Sequence, residues 1–311
     1  MVIDLQGALA ALSHPLGLAL LGLCIGSFLN VVVHRLPLMM ERQWWHEVSH
    51  QLADEDGHRR VLGAEPAAGM AAVATALTRT LANLAPLGLA RPASRCPHCG
   101  HVIRWHENLP LLGWLRLRGR CSACQAPIGL RYPLVEAATA LLFVAIGSRF
   151  GGAPVALLWC GFAAVLLAAS LIDWDTTLLP DALTLPLAWA GLIAAALGWT
   201  LPLAEALWGA VAGYLSLWSV YWLFKLTTGK DGMGGGDFKL LAALGAWLGP
   251  TMLLPVILGA SVIGAGVGIG MKLSGALREG RYVPFGPFLA GGGLVALLAG
   301  PERVMRWMGW A

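Results

Sequence analysis

The run APVALLWCGFAAVLLAASLI, residues 153–172, decides the fold. It holds no charged side chain and is mostly apolar, and about 20 such residues are what a helix needs to cross the hydrocarbon core of a bilayer. Acids close it at once: in LIDWDTTLLPD, residues 171–181, Asp173, Asp175 and Asp181 stand where the predicted span meets water. Working outward, further apolar runs lie at 16–33, 134–147, 182–199, 207–224, 240–257, 258–271 and 285–299. Together they predict an all-α polytopic membrane protein with about eight transmembrane helices. Pro255 and the glycines of 259–270 fit this, because membrane helices tolerate residues that let backbones approach closely.

Composition agrees. Of 311 residues, 57% are hydrophobic and 12% charged, against about 25% charged in ordinary soluble domains, and mean hydropathy is +0.69. Residues 1–15 contain no Lys or Arg and no Ala-x-Ala cleavage site follows the first apolar run, so that run is expected to stay as a helix rather than be removed. The predicted organisation is a first span within 1–33, a soluble domain over 34–133 and a membrane core over 134–311. Residues 70–89 are Ala-rich, but Arg79, Asn83 and Pro86 mark a surface helix or loop. We detect no internal repeat.

Basic residues orient the spans. With the N-terminus outside, 18 of the 21 Lys and Arg fall on the inner side, and only Arg149, Arg303 and Arg306 remain outside. That asymmetry is the positive-inside pattern, and it places the 34–133 domain in the cytoplasm. Twelve of the cations lie in that domain, but seven acids accompany them, so no nucleic-acid-binding stripe is expected.

Two matched pairs, Cys96-Pro97-His98-Cys99 and Cys121-Ser122-Ala123-Cys124, carry metal-ligand spacing. Each offers two thiolates from one tight turn, and two such turns build a tetrahedral all-sulfur site suited to zinc. Such a closed site is structural, since it leaves no open coordination position. Gly100 and Gly119 are expected to supply the backbone freedom, and His98 or His101 could replace a thiolate. A cytoplasmic setting disfavours disulfides. Cys24 and Cys160, in apolar runs, read as packing residues.

A second metal motif competes. HEVSH at 46–50 matches HExxH, which on a helix aligns His46 and His50 for zinc with Glu47 as general base. The motif singles out no third ligand, and Asp54, Asp56, His58 and Glu65 are merely nearby. The alternative reading is a chance match on an amphipathic helix whose apolar side is Trp44, Trp45, Val48 and Leu52.

Ionisable groups at span ends are functional hypotheses by default. Besides the acids after 172, GGGDFK at 234–239 brings Asp237 to the start of the predicted sixth span, on the same side of the membrane. Two close carboxylates cannot both ionise easily, so one can hold a proton while the other activates water. Glycines there allow close approach of a substrate strand. Asp181, after Pro180, reads as a helix N-cap, and Asp175 as a turn residue. Asp237 could itself be an N-cap and Lys239 a positive-inside anchor. On these residues alone, a hydrolase and a proton-coupled transporter fit equally.

The chain resembles the type IV prepilin leader peptidase/N-methyltransferase family, on GSFLNVVVHRLP at 26–37, the paired CxxC turns, RYPLVE at 131–136, IDWD at 172–175 with LPD at 179–181, GGGD at 234–237 and PFGP at 284–287. The resemblance covers nearly everything outside residues 41–94. It implies a membrane aspartyl peptidase of the GxGD type in the bacterial inner membrane, with Asp173 and Asp237 as its catalytic pair and Gly234, Gly236 and Lys239 supporting the substrate site. It further implies that basic leaders are cut from type IV prepilins and type II secretion pseudopilins on the cytoplasmic side. The new N-terminal residue would then be methylated with S-adenosylmethionine. Asn30, His34 and Glu136 are candidate polar groups near the methyl-transfer site. Their alternative roles are an interhelical hydrogen bond, a membrane-interface anchor and a helix cap. Two rival functions stand beside this one, an integral-membrane HExxH zinc metallopeptidase and a non-enzymatic zinc-knuckle scaffold of a secretion or pilus assembly.

Overall fold

The computed structural model describes residues 9, 11–63, 67–275 and 283–310. Their regular structure is helical, with two isolated β-bridges and no strand among them. Helix α1, Pro15–Ala53, begins with the first apolar run and continues without a break through Pro37 and the HEVSH segment. At 1.5 Å per residue it extends far beyond the ~30 Å a bilayer core requires. It carries the chain into the polar domain, where α2 (Glu55–Leu62) and α3 (Met70–Ala82) follow. The Asp54 carboxylate caps α2 by accepting the Gly57 N–H at 2.9 Å. The surface helix expected within 70–89 is α3, which packs back on α1.

After the short α4 (Leu112–Arg116), α5 (Arg131–Arg149) runs antiparallel to α1 in close register. A Cβ on Gly22 would meet the backbone of Ala140, and one on Gly26 that of Glu136. Four residues along from Gly26, the Asn30 amide donates to the Tyr132 carbonyl at 3.2 Å. Small residues thus let two backbones touch where no hydrophobic force between helices would hold them. Cys24 faces outward, exposed, while Cys160 is buried in the core; the packing role fits only the second.

At the centre of the core, α9 (Gly235–Leu248) packs on α8 (Leu203–Thr228) and α7 (Asp181–Ala196), and α11 (Gly286–Ala299) packs on both α9 and α6 (Val155–Thr176). Trp247 packs its ring against Trp159 and Phe162 and satisfies its indole N–H on the Leu187 carbonyl at 2.8 Å, as a buried tryptophan must.

The run 240–257 is not one span. Gly249, at φ 81°, ends α9, a 3₁₀ turn follows at Pro250–Met252, and α10 runs Leu253–Leu273. Pro250 supplies no N–H and cannot continue the preceding helix. Four helices, α1, α6, α8 and Pro250–Leu273, are long and apolar enough to cross a membrane. The pair α11 and α12 (Pro301–Trp307), bent by 113°, makes a fifth if counted as one span. Among the described residues the chain is therefore a multi-pass helical protein with four or five such spans.

Candidate functional site

Asp173 lies in the last turn of α6 and Asp237 in the first turn of α9, so helices running in opposite directions bring both acids to one end of the bundle. Both are buried, at 5% and 8% exposure, in a core where a charged group is costly unless it is used. Asp173 lies close enough for its charge to act on the Asp237 carboxyl. Asp173 Oδ2 accepts the backbone N–H of Gly286 at 3.0 Å, from the start of α11. A Cβ on Gly286 would stand 2.6 Å from that same oxygen, so only glycine brings its N–H so near. No hydrogen-bond donor to Asp237 is found among the described residues. Gly286 belongs to the PFGP stretch, but nothing in its local pattern announced a partner 113 residues from Asp173.

The neighbouring residues have other work than expected. Asp181 is the first residue of α7, whose N-cap is Pro180; it is not a cap, and its carboxylate instead takes the Lys239 ammonium at 2.6 Å. Lys239, two residues past Asp237, thereby ties α9 to α7. Asp175 sits within α6 rather than in a turn, and pairs with Arg131 at 2.7 Å. Asp237 is likewise no cap, since Gly234 holds that position. A Cβ on Gly236 would meet the Leu179 side chain at 2.6 Å, whereas Gly234 and Gly235 border open space. Leu179 also packs against Gly286, so it wedges between the segments that carry the aspartate pair and its N–H donor.

In the polar domain the four cysteine Sγ atoms lie within 4.8 Å of one another. Cys96 and Cys124 are 3.8 Å apart and Cys99 and Cys121 3.9 Å, close to the roughly 3.8 Å edge of a tetrahedron with ~2.3 Å zinc–sulfur bonds. Among the described residues this is the one group of three or more His, Cys, Asp or Glu able to hold a metal ion, and the donor set fits zinc. Neither His98 nor His101 joins it. His101 instead contacts Glu107 at 3.1 Å and Ser122 at 3.2 Å. The Ser122 hydroxyl, the Arg104 N–H and the His101 ring hold the Glu107 carboxyl down at about 2.

The two turns form a repeat that the sequence reading missed. Arg95 bridges Val102 as Arg120 bridges Pro127. The Cys96 N–H reaches His101 O as Cys121 N–H reaches Ala126 O, and Ile103 N–H reaches Ser94 O as Ile128 N–H reaches Gly119 O. Every position is offset by 25 residues. The shared letters are only R-C-x-x-C-x-x-x-I, too few to stand out in 311. Gly100 takes φ 71° after the first pair as expected, but its counterpart after the second is Gln125, at φ 60°.

His46 and His50 share the exposed side of α1, and Glu47 is engaged by Gln43 at 3.0 Å. No third ligand gathers there among the described residues; Glu65 lies outside them. Asn30 does make the interhelical bond, and Glu136 is no helix cap: its carboxylate accepts the Leu111 N–H at 2.8 Å.

Fold and site together define a multi-pass membrane protein with a four-cysteine knuckle and a buried pair of aspartates at one end of the helix bundle. Residues 20–150 match the bacterial Peptidase A24 N-terminal domain and residues 160–269 the type IV leader peptidase family. The chain is 49% identical over 308 residues to a prepilin leader peptidase/N-methyltransferase of Stutzerimonas stutzeri, covering 96% of each chain. It is 50% identical over 294 residues to one of Aeromonas hydrophila, covering 93% of this chain and 91% of that one. A Burkholderia pseudomallei relative of the same description is 47% identical over 296 residues, covering 94% and 89%. The chain belongs to the type IV leader peptidase family, and it is an enzyme. No solved structure matches it.

Proposed function

We propose that the chain cuts leader peptides from type IV prepilins and pseudopilins with Asp173 and Asp237, then methylates the exposed N-terminus. The observation that carries this reading is the buried aspartate pair, with Asp173 oriented by the Gly286 N–H. One carboxylate takes a proton from water as that water attacks the scissile carbonyl, and the other delivers a proton to the carbonyl oxygen. Gly234 and Gly235, bordering open space, leave room for an extended substrate beside Asp237. Gly236 and Lys239 support the site by seating α9 against Leu179 and Asp181.

The division at 34–133 and the basic asymmetry support a cytoplasmic active site in a bacterial inner membrane, where a basic leader would also be retained. The lipid bilayer and the prepilin are the partners of this reading, and nucleic acid is not. Zinc on Cys96, Cys99, Cys121 and Cys124 would cross-link the two turns and hold the polar domain folded. S-adenosylmethionine would supply the methyl group, as the N-methyltransferase names of the relatives imply. The engaged carboxylate of Glu136 and amide of Asn30 assign both to structure rather than to that step.

Cleavage of a purified prepilin, beside methylation of a pre-cleaved one, tests the reading. Asp173→Asn and Asp237→Asn should each lose cleavage by several orders of magnitude and keep methylation. Loss of both activities in a folded Asp173→Asn protein would mean a single shared site and overturn the separation.

A further inference from the structure

We propose that residues 109–116 of the metal domain form a membrane-docking wedge that seats in the headgroup layer of an anionic phospholipid bilayer. The inference rests on the depth at which the chain holds this turn. Gly22 lies opposite Ala140, Gly26 opposite Glu136, and Asn30 bonds to Tyr132, so α1 and α5 keep one antiparallel register. Gly26 falls seven residues before Val33, the last residue of the first apolar run. At 1.5 Å per residue, Glu136 is therefore about 10 Å below the end of that run. Yet its buried carboxylate is bonded to the backbone N–H of Leu111, a residue of the metal domain. The bond draws the turn down beside the membrane-crossing part of α1. Leu111 holds φ 57° at this point, a backbone conformation that non-glycine residues rarely adopt.

What the turn shows to its surroundings is apolar. Leu112 and Leu115, one helical turn apart, are 64% and 62% exposed, and Leu109 precedes them at the same spacing. The inner side of α4 is accounted for, since Trp114 donates its indole N–H to Ile128 O at 3.2 Å and packs on Gly119. Leu134 on α5, in an apolar run read as a span, is exposed as well. Exposed Arg116 and Arg118 follow at once, with no acid between 108 and 135. Apolar side chains at headgroup depth beside cations are the composition of an interfacial segment, and each cation near an anionic surface adds attraction. Long arginine stems let the charges reach phosphate while the leucines stay buried.

The full chain in nanodiscs tests this, using phosphatidylcholine alone or mixed with phosphatidylglycerol, and a trace of phospholipid with a diazirine high in its acyl chain. No substrate is added, so the outcome does not depend on whether Asp173 and Asp237 cleave prepilin. Photoadducts mapped by mass spectrometry should appear on residues 109–116 as on 153–172, several-fold above those on 96–101, and should rise when phosphatidylglycerol is present. Leu112→Asp with Leu115→Asp should remove the adducts on 109–116 and leave zinc content and the adducts on 153–172 unchanged. If that variant loses zinc, Leu112→Ser with Leu115→Ser should give the same loss of adducts. Arg116→Gln with Arg118→Gln should abolish only the phosphatidylglycerol enhancement. An unlabelled 109–116 in the wild-type chain would overturn the proposal. So would labelling indifferent to phosphatidylglycerol.

Discussion

The two candidate sites are assembled by opposite strategies. The knuckle is built twice from one local pattern, each half closed within ten residues by its own backbone hydrogen bonds. The aspartate site is built once from parts far apart: Asp173 on α6, Asp237 on α9 and the Gly286 N–H at α11. A local site can tolerate an imperfect residue, as Gln125 shows by standing where its twin turn has Gly100. A site made by converging helices cannot, because each member is positioned by packing that the others share. The knuckle should therefore fail through loss of its metal, and the aspartate site through small shifts of backbone.

Removing the metal is expected to have the largest effect on stability. Structural zinc sites contribute on the order of 10–16 kcal/mol to folding in small domains. Cys96→Ser with Cys121→Ser should abolish binding of about one zinc per chain and make residues 95–128 sensitive to protease. Full zinc content in that double variant would remove the ligand assignment and the comparison with it.

Next comes a single methyl group. Gly286→Ala would place a Cβ against the Asp173 carboxylate, displacing the N–H donor by a fraction of an ångström. A misplacement of about 1 Å can cost roughly 100-fold in rate, so prepilin cleavage should fall by about 10- to 100-fold, with zinc content unchanged. Wild-type kcat would show that the Gly286 hydrogen bond does not orient Asp173.

The smallest effect sharpens the contrast from the other side. Relieving the left-handed backbone at Gln125 should gain up to about 1 kcal/mol, so Gln125→Gly should hold zinc several-fold more tightly against a competing chelator. Weaker binding would show that Gln125 contributes contacts that its backbone conformation conceals.

How much of this was legible follows from where the physics is local. Apolar runs and the acids that end them declare themselves, because charge near a bilayer is rare and expensive. CxxC spacing declares itself through ligand geometry. The break at Gly249 was obscured by apolar residues on both sides, although Gly-Pro is itself a stop signal. Asp181 was misread because a residue after proline resembles a cap, whereas its carboxylate turns to Lys239, 58 residues on. The Gly286 donor and the Glu136–Leu111 bond were out of reach altogether, since both depend on which helices become neighbours. HEVSH gave the opposite error, a full motif with no site assembled around it among the described residues.

The central claim is that Asp173 and Asp237 act as one unit, and a double-mutant cycle on prepilin cleavage tests it most directly. Because residues that act together are strongly non-additive, Asp173→Asn, Asp237→Asn and the double variant should all lose kcat by a similar several orders of magnitude. Asp175→Asn and Asp181→Asn, which break only partly exposed ion pairs worth about 0–1 kcal/mol, should stay active, as should Glu47→Gln. Near-normal cleavage by either aspartate variant, with Glu47→Gln inactive, would contradict the account and move the chemistry to the HEVSH segment.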